Sequence, residues 1–409
     1  MTGPSRGTTG FVVVGAALAG LRAVEAARAA GYAGPITLIG AETHLPYDRP
    51  PLSKAFLTTP DADPVHYRDA DALRALEVDL RLGSPAVRLD PVRRTVLAGG
   101  RETPYDRLLI ATGAEPRRLA HLPRTAGVLT LRTVDDARAL RTAIRPGLRL
   151  VIVGAGFIGS EIASSARALG AEAVIVDAAE IPLVRAVGEV VGQALAGLHG
   201  RHGTRLVRGT GVAALLGGDR VTGVRLGTGE TLAADLVLVG VGAAPATGWL
   251  AGSGIALHPS DGGVLCDEHL ATSLPGVYAA GDVARWPNRL LGETMRLENW
   301  TNAADQAAVA AVNALFPERA RPYETVPYFW SDWYGRRIQF VGSPAADDVA
   351  FVSGGPDEDR FVALYRRGDR LIGAATLDEP RKIMKYRRFI AGRGAWDRAA
   401  DALAGRLPR

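Results

Sequence analysis

The stretch Phe11-Val-Val-Val-Gly15-Ala-Ala-Leu-Ala-Gly20 is matched in pattern by Leu150-Val-Ile-Val-Gly154-Ala-Gly156-Phe-Ile-Gly159, and Gly15 and Gly154 lie 139 residues apart. Each copy predicts an apolar strand that turns through glycines into a helix, whose exposed N–H groups and dipole favour a pyrophosphate. An acid follows roughly 20 residues later, Glu42 in the first copy and Asp177 in the second, where a carboxylate accepts a ribose hydroxyl. These two stretches, named here the first and the second cradle, predict that the chain binds two dinucleotides.

A second pair of matching segments supports the repeat. Tyr105-Asp-Arg-Leu-Leu-Ile-Ala-Thr-Gly113 follows the first cradle, and Ala234-Asp-Leu-Val-Leu-Val-Gly-Val-Gly242 follows the second. In both, an Asp precedes an apolar strand that ends in small residues, where a backbone can approach a nucleotide closely. A single glycine pattern is weak evidence for a dinucleotide site, and the first cradle carries Ala17 in place of its middle glycine. The repeat of the whole arrangement nevertheless favours two dinucleotide sites.

Composition sets the broad class. At 409 residues the chain is too long for one core and suggests two or three domains. No apolar run approaches the roughly 18 residues that span a bilayer, so we expect a cytoplasmic protein without a membrane association. Its net charge of +5 is carried mostly by arginine, since lysine occurs only at positions 54, 382 and 385.

The single cysteine, Cys266, excludes an internal disulfide and a redox dithiol. Nucleic acid is a poor alternative ligand, because the sequence has no zinc-ligand spacing and no dense basic run. Metal ligands are not predicted. Paired arginines recur at 336–337, 366–367 and 387–388; each pair is more typical of solvated surface, but together they would form a face that steers an acidic partner.

The pattern changes twice after the second cradle. Pro275-Gly-Val-Tyr-Ala-Ala-Gly281-Asp282 is a small-residue strand end followed by an acid, which predicts that the chain returns to the first domain, where Asp282 accepts hydrogen bonds from a polyol. Beyond about Pro322, short aromatic and β-branched runs predict a small antiparallel sheet closed by a basic helix from about Arg381 to Ala391.

Several strings together carry a family resemblance. They are Leu45-Pro-Tyr-Asp-Arg-Pro-Pro-Leu-Ser-Lys54, Leu131-Arg-Thr-Val-Asp-Asp136, Gly154-Ala-Gly-Phe-Ile-Gly-Ser-Glu161, Asn299-Trp-Thr-Asn-Ala303 and Trp330-Ser-Asp-Trp-Tyr-Gly335, with the Ala111-Thr-Gly113 and Gly281-Asp282 strand ends. From about residue 10 to 390 the chain resembles the FAD-dependent, NADH-using ferredoxin reductases of bacterial cytochrome P450 and ring-hydroxylating dioxygenase systems.

The resemblance implies an α/β, glutathione-reductase-like fold with two dinucleotide-binding domains and a C-terminal α+β domain. The implied limits are 1–117 and 245–321 for the FAD-binding domain, 118–244 for the NAD-binding domain and 322–409 for the C-terminal domain.

The resemblance also implies roles for individual residues. Those expected at FAD are Gly15, Ala16, Leu18, Ala19, Gly20, Glu42, Arg49, Lys54, Ala86, Ala111, Thr112, Gly113, Arg132, Gly281, Asp282, Trp300 and Trp330. Those expected at NADH are Gly154, Gly156, Phe157, Ile158, Gly159, Glu161, Asp177, Arg185, Val241 and Gly242. Both tryptophans are expected near the isoalloxazine, although plain core packing also accounts for an aromatic residue.

Lys54 and Glu161 carry the sharpest hypothesis. By the resemblance, Lys54 lies beside flavin N5 and O4 and pairs with Glu161, so both residues are expected to be catalytic. A rare lysine in an arginine-using chain indicates that a compact ammonium is needed. Asp177, with Ala178 and Ala179 after it, favours NADH because its carboxylate repels a 2′-phosphate; the family more often has Glu here, and Arg185 lies near enough in sequence to weaken the preference.

The function implied is an NADH-dependent ferredoxin reductase that passes single electrons to an acidic [2Fe-2S] ferredoxin docked on an arginine-rich face, as a monomer or weak homodimer. A disulfide reductase needs a cysteine pair, and an NADH oxidase or peroxidase needs a reactive cysteine in the first domain; Cys266 fits neither. Two alternatives stay open, an NADH-responsive flavoprotein resembling apoptosis-inducing factor and a non-catalytic FAD-binding module.

Overall fold

The computed structural model of the chain describes residues 10–119, 121–123 and 125–398, so the implied outer domain limits at 1 and 409 lie outside the described residues. Its strands are β1 (Gly10–Val14), β2 (Ile36–Ile39), β3 (Val78–Arg81), β4 (Ala86–Asp90), β5 (Thr95–Ala98), β6 (Arg101–Ile110), β7 (Ala114–Pro116), β8 (Val128–Leu129), β9 (Arg149–Val153), β10 (Glu172–Val176), β11 (Arg205–Val207), β12 (Val212–Gly217), β13 (Val221–Leu226), β14 (Thr231–Ala233), β15 (Leu236–Val239), β16 (Ala243–Pro245), β17 (Val264–Leu265), β18 (Val277–Ala279), β19 (Ala284–Asn288), β20 (Glu293–Met295), β21 (Tyr328–Trp333), β22 (Arg336–Gly342), β23 (Asp348–Ser353), β24 (Phe361–Arg367) and β25 (Arg370–Leu377).

The α-helices are α1 (Leu18–Ala29), α2 (Ala55–Thr58), α3 (Ala70–Ala75), α4 (Val134–Ala143), α5 (Phe157–Ala168), α6 (Val184–Arg201), α7 (Trp300–Leu315) and α8 (Pro380–Ala391). Within the described ranges, no helix is long and apolar enough to cross a membrane.

The chain divides into two compact units. Among the described residues, the first unit comprises 10–48, 65–115 and 244–327, and the second comprises 49–64, 116–119, 121–123, 125–243 and 328–398. These units place segment 49–64 and the described residues from 328 onward with the second cradle. The domain limits implied by the family resemblance instead assign segment 49–64 to the FAD-binding domain and residues from 322 onward to a separate C-terminal domain. The implied domain limits therefore stay a prediction.

The first unit contains a seven-stranded sheet with the order β3-β2-β1-β6-β5-β4, in which β18 also pairs with β6, and a smaller sheet of order β17-β19-β20. Strands β3, β2, β1, β6 and β18 run parallel, because helical crossovers join β1 to β2 and long excursions join the others. The buried apolar side of β1, β6 and β18 forms a core with Val12, Leu108 and Val277. The chain thus returns to the first cradle's sheet after completing the second cradle, as the sequence predicts.

The second unit holds a parallel sheet of order β11-β10-β9-β15-β8, an antiparallel three-stranded sheet β12-β13-β14 and an antiparallel sheet of order β21-β22-β25-β24-β23. Helix α8 packs on β25 and β22 of the last sheet with Ile383, Tyr386 and Ile390 buried. The antiparallel sheet and its basic helix confirm the sequence prediction for the C-terminal region, to which the structure adds the edge strand β23.

Candidate functional site

The first cradle is a tight turn that only glycine permits. Gly15 has φ +121°, and a Cβ there would lie 2.0 Å from the Ala111 carbonyl oxygen. A Cβ on Gly20 would lie 1.9 Å from the Gly15 oxygen, so α1 begins directly against the turn. Leu18 and Ala19 are buried in the first turn of α1, and no side chain of the described residues caps this helix. The N-terminal amides of α1 therefore suit an anionic ligand.

The returning segment after β18 completes this edge of the sheet. Gly281 has φ +80°, and a Cβ there would lie 3.3 Å from Ala19 Cβ and 3.7 Å from Ala303 Cβ. The Gly281 N–H donates to Gln306 Oε1 at 2.8 Å, and the next residue, Asp282, has its carbonyl oxygen bound by Arg296 at 2.8 Å. The structure thus brings Gly281 to the first turn of α1.

Gln306 indicates that this cradle is built for a polar ligand. Its side chain is fully buried, and Oε1 accepts from both Gly281 N and Asn302 Nδ2. Its Nε2 donor has no partner among the described residues. A buried unsatisfied donor costs about 1–3 kcal/mol, so a bound group rich in oxygen fits this place better than an empty one. The first cradle therefore fits the FAD that the resemblance implies.

Glu42 and its neighbour Tyr47 lie beyond β2. The Tyr47 hydroxyl donates to Glu42 Oε2 at 2.6 Å, which fixes the carboxylate, and Tyr47 itself is buried. Ala86 begins β4 and pairs with Ala98 of β5. Ala16 borders Gly40, where an added Cβ would lie 2.6 Å from the Ala16 Cβ. Tyr47 was not predicted as a site residue, although it belongs to the Pro-Tyr-Asp-Arg string.

Thr112 and Gly113 continue the end of β6. The Thr112 hydroxyl donates to the Ala246 oxygen at 2.9 Å, and Gly113 has φ +69°. The sequence predicts this segment to border a nucleotide, and its backbone borders Gly15 through Ala111 and Thr112.

Trp300 begins α7 and lies in a polar cluster of the first unit. Its Nε1 donates to Asp48 Oδ1 and to the Tyr67 hydroxyl, both at 2.9 Å. The Tyr67 hydroxyl donates to Asp48 Oδ1 at 2.7 Å, and burial, with this hydrogen bond, raises the pKa of Tyr67 well above its usual range. The indole is therefore held by its polar edge as well as by packing.

The second cradle repeats the turn. Gly154 has φ +106°, and a Cβ there would lie 2.4 Å from the Gly240 oxygen, beside Val241 N. A Cβ on Gly159 would lie 2.2 Å from the Gly154 oxygen. Gly156 differs, because a Cβ there would meet only the Gly240 oxygen, at 3.9 Å. The protein does not need glycine at this position for its own packing, whereas a pyrophosphate approaching the backbone does. This cradle therefore fits a dinucleotide such as NADH.

Asp177 faces the second cradle from the end of β10. Its Oδ2 accepts from Ala155 N at 2.6 Å and its Oδ1 accepts from Ala179 N at 2.8 Å. A carboxylate has about four acceptor positions, so these two bonds orient Asp177 and still leave capacity for a ribose hydroxyl. Arg185 lies exposed in the first turn of α6, and Gly242, with φ +94°, follows β15.

Lys54 and Glu161 form an ion pair in the second unit, with Nζ 2.8 Å from Oε1. Glu161 is only 3% exposed and Lys54 20%, so water screens the pair poorly. Lys54 Nζ also donates to the Pro50 oxygen at 3.1 Å. The two residues lie far apart in sequence, and the structure brings them together; their role at a flavin stays a prediction.

Two serines complete the shell of Glu161. The Ser53 hydroxyl donates to Oε2 and the Ser331 hydroxyl donates to Oε1, and both serines are buried. Neither serine was predicted as a site residue, because a hydroxyl next to a conspicuous lysine or tryptophan carries no distinctive pattern of its own.

Arg49 and Arg132 lie together. An Arg49 Nη1 group donates to the Arg132 carbonyl oxygen, and Arg132 N donates to Asp136 Oδ2 at 2.9 Å. Asp136 also completes a capping box with Thr133 at the start of α4. The capping box was not predicted from the sequence, although Thr133 and Asp136 have its spacing with Asp in place of Glu.

An aromatic cluster joins α5 to the C-terminal sheet. Phe157, the first residue of α5, has its ring centroid 4.8 Å from Phe329 and 6.1 Å from Trp333. Trp330 stacks on Tyr328 at 5.8 Å. Ile158, next to Phe157, is 45% exposed.

The arginine pairs differ in how their charge is used. Arg336 is bound by Asp378 and Asp359, at 2.8 and 3.3 Å, and Arg337 makes a two-point contact with Asp332. These acids offset the positive charge of the 336–337 pair. Arg381 and Arg388 of α8, by contrast, are exposed.

Cys266 follows β17 directly. Burial, with the nearby Asp267, raises the pKa of its thiol to about 12, so no reactive thiolate forms near neutral pH. No cluster of three or more His, Cys, Asp or Glu that suits a metal ion occurs in the ranges that the structure describes.

Comparisons with known proteins cover nearly the whole chain. Residues 9–307 match the family described as pyridine nucleotide-disulphide oxidoreductase, and residues 328–404 match the family described as reductase C-terminal. Rhodocoxin reductase of Rhodococcus erythropolis is 36% identical over 93% of this chain and 89% of its own.

The ferredoxin–NAD(+) reductase component of the biphenyl dioxygenase system of Paraburkholderia xenovorans is 39% identical, over 94% of this chain and 93% of its own. Among solved structures, the covalent putidaredoxin reductase–putidaredoxin complex matches with a TM-score of 0.90 and 30% identity, covering 98% of this chain and 99% of that one. The expected fold, a two-domain flavoprotein reductase with a β-rich C-terminal domain, is confirmed by these matches.

Proposed function

The chain belongs to the pyridine nucleotide-disulphide oxidoreductase family, and we propose that within it the chain is an FAD-dependent NADH:ferredoxin oxidoreductase. The chain is an oxidoreductase, and its matched relatives include a rhodocoxin reductase and a ferredoxin–NAD(+) reductase component of a dioxygenase system. The observation that carries the proposal is the presence of two cradles on two separate parallel sheets, in a chain whose single cysteine is partly buried and has a raised thiol pKa. Without a dithiol, electrons leave the protein from a cofactor.

The first cradle holds FAD and the second holds NADH. Gly15, the N-terminal turn of α1 and Glu42 hold the pyrophosphate and adenosine ribose of FAD, with Gly281 and Asp282 closing the same edge. Gly156 and Asp177 bind the pyrophosphate and adenosine ribose of NADH. When bound, FAD supplies the step from two-electron to one-electron chemistry, which links a hydride donor to a ferredoxin.

Lys54 is the electrostatic group of this site, and Glu161 is its support. An ammonium held close to a bound flavin would stabilise negative charge on its ring, and poor screening would strengthen that effect. The Glu161 carboxylate offsets the desolvation of that ammonium and holds it in place at 2.8 Å. Lys54 therefore contributes a positive charge, Glu161 keeps that charge in place, and the reaction needs no protein nucleophile.

The partner is an acidic [2Fe-2S] ferredoxin that serves a cytochrome P450 or a ring-hydroxylating oxygenase. Matched relatives named for rhodocoxin and for a biphenyl dioxygenase system support this class of partner. The arginines on and beside α8 provide positive charge for docking. We place the protein in the cytoplasm, as a monomer or weak homodimer, with the domain limits 1–117, 118–244, 245–321 and 322–409.

A role resembling that of apoptosis-inducing factor is the weaker candidate, since the reductases above match over nearly the full length of both chains. A non-catalytic FAD-binding module would keep the first cradle but has no use for a second cradle whose Gly156 is open to a ligand.

We expect NADH to bleach the flavin absorbance of the FAD-loaded protein under anaerobic conditions, and added ferredoxin to restore it. Ferredoxins from the same organism would then be titrated with cytochrome c reduction as the readout. A protein that binds FAD but stays oxidised in excess NADH would contradict the enzymatic proposal, and reduction without transfer to any of these ferredoxins would contradict the proposed partner.

We expect the protein to prefer NADH, and Asp177→Asn to reduce the preference over NADPH by about tenfold, or roughly 1.4 kcal/mol. Asparagine keeps one oxygen that can accept from Ala155 N, loses the bond from Ala179 N, and removes the charge that repels a 2′-phosphate. The measurement is the ratio of kcat/KM values for the two cofactors, with Glu189→Gln, an exposed charge change on α6, as the control. A wild-type preference for NADPH would contradict this assignment.

A further inference from the structure

Glu161 is held by a chain of hydrogen bonds that extends beyond its two serines. Trp333 Nε1 donates to Ser331 Oγ at 2.8 Å, and the Ser331 hydroxyl donates in turn to Glu161 Oε1, the same oxygen that binds Lys54 Nζ. Ser331 and Trp333 are both fully buried. Three groups thus converge on the Glu161 carboxylate: Ser331 from β21, Ser53 and Lys54.

The direction of this chain is fixed by the chemistry of its members. An indole N–H only donates, so Trp333 occupies a lone pair of the Ser331 oxygen. The single hydroxyl proton of Ser331 is then free to point at Glu161, and a donor polarised in this way makes a stronger bond. Trp333 therefore determines how firmly Ser331 holds Oε1.

The indole is itself locked in place. Its ring stacks on His199 with centroids 5.1 Å apart, and His199 contacts Ser160 Oγ at 3.3 Å and the Tyr334 hydroxyl at 2.8 Å. Burial lowers the pKa of His199 to about 4, with a smaller effect of His202, so the ring beside Trp333 is uncharged at neutral pH. Trp333 thus contributes a fixed dipole in neutral surroundings.

We propose that Trp333 and Ser331 are positioning residues that set the charge Lys54 presents to the flavin, by sharing the Glu161 carboxylate with it. The inference rests on the proposed function, in which Lys54 acts at the flavin. When Ser331 and Ser53 both donate to Glu161, part of the carboxylate charge is neutralised by hydroxyls, and Lys54 is held less tightly. Loss of the Ser331 donor strengthens the hold of Glu161 on Lys54 and weakens the ammonium's effect on the reduced cofactor.

The test is a set of variants measured in the FAD-loaded protein for flavin midpoint potential and for the rate of flavin reduction by NADH. We expect Ser331→Ala to lower the potential and slow reduction about three- to tenfold. Trp333→Phe should also lower the potential, and it should slow flavin reduction about twofold, because it removes only the indole N–H that polarises Ser331. In the Ser331→Ala background, Trp333→Phe should have no further effect on the potential, because its influence passes through Ser331.

Matched controls make the same chemical changes elsewhere. Trp249 is a buried indole whose Nε1 has no acceptor in the described part of the chain, so Trp249→Phe removes an N–H without removing a hydrogen bond. Ser253 is a buried serine that donates to the Leu250 oxygen at 2.6 Å, and Ser253→Ala controls for loss of a buried hydroxyl. Both controls should keep the wild-type potential.

A Lys54→Met variant, measured beside the Ser331 and Trp333 variants, separates the inference from the proposed function. If Lys54→Met changes the potential and the Ser331 and Trp333 variants do not, the positioning role is wrong while the flavin role of Lys54 stands. If Lys54→Met itself leaves the potential unchanged, the flavin role fails. Persistence of the Trp333→Phe shift in the Ser331→Ala background would also overturn the inference.

Discussion

Lys54→Met should slow the reduction of bound flavin by NADH about a hundredfold or more, the usual loss when one charged or hydrogen-bonding group that stabilises developing charge is removed. Lys54 lies 2.8 Å from Glu161 and is mostly shielded from water, so its charge acts through a medium that screens weakly. Methionine keeps the length and most of the volume of lysine, and the change therefore isolates the ammonium. The measurement is stopped-flow absorbance of the flavin, with its midpoint potential recorded in parallel.

Stability has to be separated from chemistry in this experiment. Lys54→Met leaves Glu161, 3% exposed, without its counter-charge, and breaking a buried pair in this way costs about 3–5 kcal/mol. Lys54→Met/Glu161→Gln removes both charges and should recover most of that loss while staying slow. Lys382, which pairs with Glu379 at 3.0 Å in a more exposed setting, provides the control Lys382→Met. Unchanged potential and reduction rate in Lys54→Met would remove Lys54 from the mechanism.

Gly15→Ala and Gly154→Ala should separate the two cradles. An alanine at Gly15 places Cβ 2.0 Å from the Ala111 oxygen at φ +121°, which combines backbone strain and overpacking and costs about 3 kcal/mol or more. We expect this variant to be purified without FAD. An alanine at Gly154 meets the Gly240 oxygen at 2.4 Å, so we expect FAD to be retained and the KM for NADH to rise more than about tenfold.

The readouts are FAD bound per chain, the KM for NADH and thermal unfolding. Gly248→Ala in the first unit and Gly200→Ala in the second are controls, because a Cβ at either position meets nothing within 4 Å. Retention of FAD by Gly15→Ala, or equal loss of FAD from both cradle variants, would contradict the assignment of FAD to the first cradle and NADH to the second.

The two cradles were predictable because each depends on local pattern. A strand, a glycine turn and an acid recur with fixed spacing, and each element needs only its own residues to be recognised. The Lys54–Glu161 contact, by contrast, was implied by the family resemblance, since nothing in the spacing of the two residues predicts that they meet. Edge strand β23 was missed, although its Val-Ala-Phe-Val run has a strand-like composition.

The support of the site was not predictable. Ser53 and Ser331 are common residues whose importance comes from burial against one carboxylate, and burial is a property of the folded chain. Arg336 was predicted to add positive charge to a docking face, but it pairs with Asp359 and Asp378, acids that lie far from it in sequence. The sequence gives the number of charged residues, but which arginines are paired with acidic residues depends on the folded structure.

The pairing of β18 with β6 has a consequence for how the protein is made. Strand β6 ends at Ile110 and its parallel neighbour begins at Val277, so a ribosome adding about 5–20 residues per second completes the neighbour roughly ten to thirty seconds later. During that interval the Leu108–Ile110 end of β6 lacks its β18 neighbour, and Gly281 and Gln306 are not yet synthesised. We expect the nascent first unit to rely on chaperones and to acquire its cofactor only late in synthesis, after residues near 306 have left the ribosome.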